Sequence, residues 1–254
     1  MYVQLLTSLA CSPSMVTLEV GSCSEDPGIY KLHVHESILC ELDFFKAALQ
    51  GGFKEASTKV IKMPEDDPVL MASFVEFLYR GSYREPVPSE QKDDGAPLKE
   101  LFTKKLYHAR VLALAEKYTF QDLCNKAASS VRVLHTNIGA NATAESDAYF
   151  LEYIVQLYEM SGPGSALRIP KTEDTASSPT TSMKPIVWNM ENTALWIGRM
   201  WKNAAQRPLV EEAFERCSDL AQDLLIMIAD GFVDKADCTA KGHSKKIRRV
   251  NDEW

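Results

Sequence analysis

Two short segments near the N-terminus constrain the fold more than any other feature of the chain. Val16, Leu18 and Val20 alternate with Thr17 and Glu19, and Tyr30, Leu32 and Val34 alternate with Lys31 and His33. A period of two puts one side of a strand on a core and the other toward water. Residues 21–28 between them are rich in Gly, Ser, Asp and Pro and read as a loop. The expectation is an antiparallel hairpin of residues 16–20 and 30–34, with residues 60–63 as a third strand. The rest of the regular pattern has the helical period.

Ile38, Leu39 and Leu42 suit one short apolar stripe, and Phe44, Phe45, Ala48 and Leu49 suit the next, with Asp43 placed to cap it and Gly51-Gly52 to stop it. Asp67-Pro68 is a strong helix start, a capping carboxylate followed by proline at the first helical position. Leu70, Met71, Phe74, Phe77 and Leu78 then share one face up to Gly81. Residues 84–97 read as a solvated loop. A helix is expected over 98–118, buried through Tyr107, Val111, Leu114 and Tyr118, and another over 121–134. In the second half, Phe150, Ile154, Leu157 and Tyr158 form a stripe on a helix of residues 144–160. Residues 161–186, rich in Ser, Thr, Pro and Gly, read as a disordered linker. Helix resumes at about 189–205. After Pro208 one last helix is expected to run to about residue 229, with Val210, Phe214, Cys217, Ala221, Leu224 and Ile228 inward. Two and a half heptads favour packing on the chain's own domain over a coiled coil. Residues 233–254 form a polar tail.

With 45% hydrophobic and 25% charged residues, the 254-residue chain has the composition of a globular protein, and its length fits one large domain or two small ones. A net charge of -7 argues against a chain whose main work is binding nucleic-acid phosphates. No apolar run approaches the roughly 20 residues that span a bilayer, and residues 1–10 lack the basic start of a secretory signal. An intracellular protein, cytoplasmic or nuclear, is expected, with no membrane partner. Cys11, Cys23, Cys40, Cys124, Cys217 and Cys238 are too scattered for a disulfide framework and read as reduced thiols.

The order strand, strand, two short helices, strand, helices is filled by recognisable residues. The run from Tyr30 to Cys40, YKLHVHESILC, resembles the BTB/POZ segment F-x-V-H-K-x-x-L, with His35 at its histidine. The run from Asp43 to Ala56, DFFKAALQGGFKEA, resembles the stretch that follows. Residues 74–83, FVEFLYRGSY, resemble L-L-x-Y-L-Y-T-G-x-Y, and Tyr107, Ala113, Ala115-Glu116-Lys117-Tyr118 and Leu123-Cys124 resemble V-Y-x-L-A-D-K-Y-x-x-x-x-L. Together they cover about residues 15–135 and are most similar to the BTB-domain proteins of filamentous fungi. The resemblance implies an α+β BTB/POZ fold, a small mixed sheet flanked by helices, followed by a helical C-terminal extension. The domain boundaries expected are an N-terminal segment 1–14, the BTB domain 15–135, a helical extension 136–160, the linker 161–186, C-terminal helices 187–232 and the tail 233–254. Met15 stands where the family usually has an Asp, which puts groove-based co-repressor binding in doubt.

The function implied is a protein-protein interaction module and not an enzyme. In BTB adaptors of cullin-based ubiquitin ligases a hydrophobic-x-Glu motif lies after the second short helix, and Phe53 and Glu55 match it. The same residues occur in BTB domains without a cullin partner, where the Phe packs on the core. The two separate on stability: Phe53→Ala lowers the melting temperature if the ring is core and weakens cullin capture with the fold intact if it is an anchor. No MATH, kelch or zinc-finger segment is present, and the alternative is an oligomerising regulator, for example of transcription, with no ubiquitin role. Tyr2, Leu5, Leu6 and Leu9 form an apolar stripe that fits a homodimer contact. His33 and His35 face the same way on a strand, but no second pair of metal ligands follows, so His35 reads as a core or helix-capping residue and His33 as exposed. No G-x-S-x-G or phosphate loop occurs, and no catalytic residue, cofactor or metal is expected. Trp188, Trp196 and Trp201 read as core aromatics. Lys241, Lys245, Lys246, Arg248 and Arg249 read as a solvated basic tail, with nuclear import or phosphate binding the sharper alternative.

Overall fold

The alternating segments pair as their pattern requires. In the computed structural model, which describes residues 14–21, 28–85, 96–135, 144–162, 165, 167 and 190–229, β1 (Met15–Val20) runs antiparallel to β2 (Tyr30–His35). Val16 faces Val34, and Leu18 faces Leu32. β3 (Val60–Met63) joins the other edge of β1 in parallel, so the sheet is mixed with the order β2-β1-β3. Val16, Leu18, Val20, Val34, Ile61 and Met63 are buried on one face. On the other, Glu19 takes ion pairs from Lys31 at 3.1 Å and Lys62 at 4.0 Å. The protein is therefore α+β, with a small three-stranded mixed sheet and mostly helix otherwise.

Two units divide the chain, residues 1–93 with 107–130 and residues 94–106 with 131–254. The first holds the sheet and α1 (Glu36–Leu39), α2 (Asp43–Gln50), α3 (Lys54–Thr58), α4 (Pro68–Arg80), the C-terminal half of α5 (Ala96–Lys117) and most of α6 (Gln121–His135). Asp67 caps α4 by accepting from Val69 N at 2.7 Å and Leu70 N at 3.2 Å, and Gly81, at φ 66°, closes it. Asp43 does not cap α2. Leu42 holds the cap position because its N–H already donates to Leu39 O as α1 turns into α2, and Asp43 is the first helical residue. There its carboxylate still meets the positive end of the helix dipole. Phe45, Phe74, Phe77, Tyr118 and Phe120 form the aromatic centre of this unit, with neighbouring ring centroids 5.4–6.2 Å apart. Asp66, 7% exposed, accepts from Tyr118 Oη at 2.6 Å and Lys117 Nζ at 2.8 Å. A buried carboxylate is tolerated because both oxygens have donors.

The second unit contains α7 (Ala144–Glu159), α8 (Met190–Lys202), α9 (Arg207–Arg216) and α10 (Ser218–Ala229). The single last helix expected after Pro208 is two helices. Cys217, at φ -136° and ψ 83°, breaks them, and the buried residues are Val210, Ala213, Cys217, Leu220 and Leu224. Phe214 and Ala221 stand at the edge of that face, because each half sets its own buried side once the helix is interrupted. Two buried polar groups of this unit are matched: Asp147 accepts from Arg199 at 3.0 Å and Gln206 at 2.7 Å, and Tyr158 Oη donates to Asp223 at 3.1 Å. Trp201 is not core. It is 41% exposed and stacks on Phe214, because Ile197 and Met200 occupy the inward positions of α8. Trp196 packs edge-on to Phe150 at 3.9 Å. Trp188, the 161–186 linker apart from a few residues, and the tail lie outside the described residues.

Candidate partner-binding loop

The turn between α2 and α3 is built by two glycines used for different reasons. Gly52 has φ 77°, a conformation that side chains with a Cβ rarely adopt. Gly51 has an ordinary backbone, but a Cβ there would lie 2.4 Å from Ala47 O and 2.8 Å from the Phe53 ring. The aromatic ring therefore lies over the backbone of Gly51. It does not enter the core: Phe53 is 60% exposed, whereas Phe45 on the preceding helix is fully buried.

The loop is anchored on both sides. Phe45 and Leu49 hold α2 in the core. At the end of α3, Lys59 takes φ 54°, its C=O accepts from Thr17 N at 2.9 Å on β1, and its Nζ meets Glu36 Oε1 at 2.8 Å. Glu36 Oε2 accepts from Ser14 Oγ at 2.6 Å. The Lys59 ammonium first, and the Ser14 hydroxyl second, hold the Glu36 carboxyl below its usual range. Glu55 lies in the first turn of α3, half-buried, and its carboxylate makes no hydrogen bond or ion pair among the described residues. Phe44, 48% exposed, adds a second aromatic surface on α2, edge-on to Tyr118 at 4.9 Å. The expected α2 face is thus split: Phe45 and Leu49 point inward and Phe44 borders water.

This arrangement offers an apolar side chain and an unpaired carboxylate two residues apart on a fixed turn. That is the chemistry of an anchor with an orienting charge. The two strand histidines do not come together on a ligand. His33 is exposed, and its Nδ1 shares a hydrogen bond with Thr17 Oγ1 at 3.1 Å. His35 stands at the start of α1 without a side-chain cap. Tyr79 Oη accepts from its N–H at 3.0 Å and shares a hydrogen bond with its Nδ1 at 2.7 Å. Among the described residues no group of His, Cys, Asp and Glu is placed to hold a metal ion. Cys124 and Cys217 are buried free thiols and Cys40 is half-buried. Tyr2, Leu5, Leu6 and Leu9 lie outside the described residues.

Sequence reasoning missed two buried cations-in-waiting. His108, 4% exposed, accepts from Tyr83 Oη at 2.8 Å and donates to Glu85 at 3.0 Å. Burial pushes its pKa down, against the pull of Glu85. Lys105 is fully buried. Its signal was present, since Phe102, Lys105, Ala109 and Leu112 recur at spacings of three and four. The fold and the loop define an α+β protein presenting an aromatic-carboxylate turn. No protein-family model matches the sequence, and no curated protein matches it. Among the described residues no helix is long and apolar enough to cross a membrane.

Proposed function

We propose that this chain is a protein-protein interaction module of the BTB/POZ type, acting inside the cell as a substrate adaptor for a cullin-based ubiquitin ligase. The exposure of Phe53 carries the reading. A large apolar side chain at 60% exposure, resting on the Gly51 backbone beside a carboxylate without an internal partner, supports an interaction role. The mixed sheet with its β2-β1-β3 order and the short helices around it are compatible with the fold that the motifs imply. In the complex Phe53 fills an apolar pocket of the scaffold, and Glu55 fixes orientation through a charge-assisted bond.

The test is capture of a purified cullin N-terminal region by the full chain. Phe53→Ala and Glu55→Ala should each weaken capture by on the order of 2 kcal/mol, roughly thirtyfold, with thermal melting unchanged. Absence of cullin capture by the wild-type chain removes the adaptor role and leaves the oligomerising regulator.

A further inference from the structure

After α4 stops at Gly81, residues 82–85 form a strap held against α5. Arg84 fixes its backbone. The Arg84 N–H donates to Glu76 Oε2 at 3.0 Å, and the Arg84 C=O accepts from Tyr107 Oη at 3.1 Å. Tyr107 Oη also bonds the Ser73 hydroxyl of α4. The side chains on either side of Arg84 converge on one ring. Tyr83 Oη lies 2.8 Å from His108 Nδ1, and Glu85 Oε1 lies 3.0 Å from His108 Nε2. The Tyr83 ring packs on His108, Tyr107 and Phe77 at centroid distances of 5.6, 6.2 and 6.4 Å. The strap is therefore tied to a histidine that is only 4% exposed.

These contacts fix where the ring carries its hydrogen. A carboxylate only accepts, so Nε2 holds the hydrogen and donates to Glu85. In the neutral ring Nδ1 is then an acceptor, and Tyr83 donates to it. A second proton turns Nδ1 into a donor and breaks the Tyr83 bond in its present sense. The groups facing the ring decide how readily that proton is taken. Glu85 on the strap favours the cation, but its side chain is 42% exposed and screened by water. Lys126 on α6 opposes it. Tyr83 and Tyr107 stay neutral, because burial raises both phenols. Burial of the ring outweighs Glu85 and holds His108 below its ordinary value of 6.5.

We propose that His108 is a proton-operated latch: with a neutral ring residues 82–85 lie on α5, and a proton on the ring releases them while the sheet stays folded. Release uncovers the Phe77 and Tyr107 rings that Tyr83 covers. The released ring titrates at its ordinary value and the latched ring below it. Between those values the open state binds more protons, so acid favours opening.

Amide hydrogen exchange of the full chain tests the latch, corrected for the intrinsic pH dependence and measured between about pH 5 and 8, where histidine is the side chain that titrates. Protection of the Arg84 amide should be constant above the ordinary histidine value of 6.5. Below it, protection should fall by about tenfold per pH unit until the midpoint of the latched ring is reached. The Thr17 amide, bonded to Lys59 O at 2.9 Å in the sheet unit, should keep its protection throughout. His108→Gln, which still donates to Glu85 but takes no proton, should give a flat profile. Glu85→Gln removes the charge that favours the cation. The ring midpoint, read by nitrogen NMR, should then fall, and the loss of Arg84 protection should extend further into acid. A flat wild-type profile overturns the proposal. So does a parallel loss at Thr17, which is unfolding of the whole unit, or a His108→Gln profile as steep as wild type, which assigns the proton to another group. Should His108→Gln not fold, an unshifted midpoint in Glu85→Gln overturns it as well.

Discussion

Phe53 and Phe74 are the same side chain in opposite environments, 60% exposed and fully buried. Phe74 touches Phe45, Tyr118 and Phe120 within 6.2 Å of ring centroids. Phe74→Ala should therefore cost about 3–5 kcal/mol in urea unfolding, and Phe53→Ala no more than about 0.5 kcal/mol. Equal losses would make Phe53 a core residue and remove the reason to place a partner there. Lys105 gives a second prediction. Its ammonium lies 5.4 Å from the Phe102 ring centroid and 5.8 Å from that of Tyr153, and burial pulls its pKa down to about 7. The unfolded chain keeps that proton up to its ordinary value of 10.5. Between those values the unfolded state binds more protons, so stability rises with pH across the window and is lowest at and below pH 7. Lys105→Met should raise the melting temperature at pH 7, and the gain should shrink as pH approaches 10. A gain of constant size would assign the effect to packing alone.

At the scale of elements, local chemistry was legible where it acts over a few residues. The α4 start at Asp67-Pro68 and its stop at Gly81 were readable because the cap bonds span only two and three residues. Asp67→Ala should cost about 1 kcal/mol, and Asp67→Asn should recover most of it. Chemical denaturation of both variants checks the cap. The anchoring of α3 was not legible, since Glu36, Ser14 and Lys59 meet only when the sheet assembles. Because Lys59 and Ser14 lower the folded pKa of Glu36, its contribution is full above the ordinary value of 4.5 and is lost as pH falls through the lower folded value. Glu36→Gln should destabilise the protein at pH 7 and do so less at pH 3. The break at Cys217 had no glycine or proline to announce it. Neither local propensity nor the spacing of apolar residues distinguishes one helix of 22 residues from two with nearly the same stripe.

For the molecule as a whole, the N-terminal stripe of Tyr2, Leu5, Leu6 and Leu9 makes self-association the expected state. Light scattering at micromolar concentration should give a mass above the 28.4 kDa monomer, and Leu5→Glu/Leu9→Glu should return it to one chain. A wild-type monomer would refute the contact. The hairpin, the third strand, the boundaries of α4, α5 and α7 to within a few residues, and Phe45, Phe74, Phe77 and Tyr118 of the aromatic centre were readable from the sequence; Phe120 was not singled out, and Phe44, expected inward, borders water. Periodicity and caps act over one or two turns, so a chain reveals them without its partners in space. It also carried the Phe53-x-Glu55 pair, but as two readings, a cullin contact and a ring packed on the core. Whether the ring is core or surface could not be read from the pair itself, because it depends on what the rest of the chain places against it, and the fold leaves Phe53 60% exposed. There the Gly51 backbone lies beneath Phe53 and no core residue covers it. The same reason hid Lys105 and His108: burial is a property of the assembled unit, and a charged residue type ordinarily signals the surface.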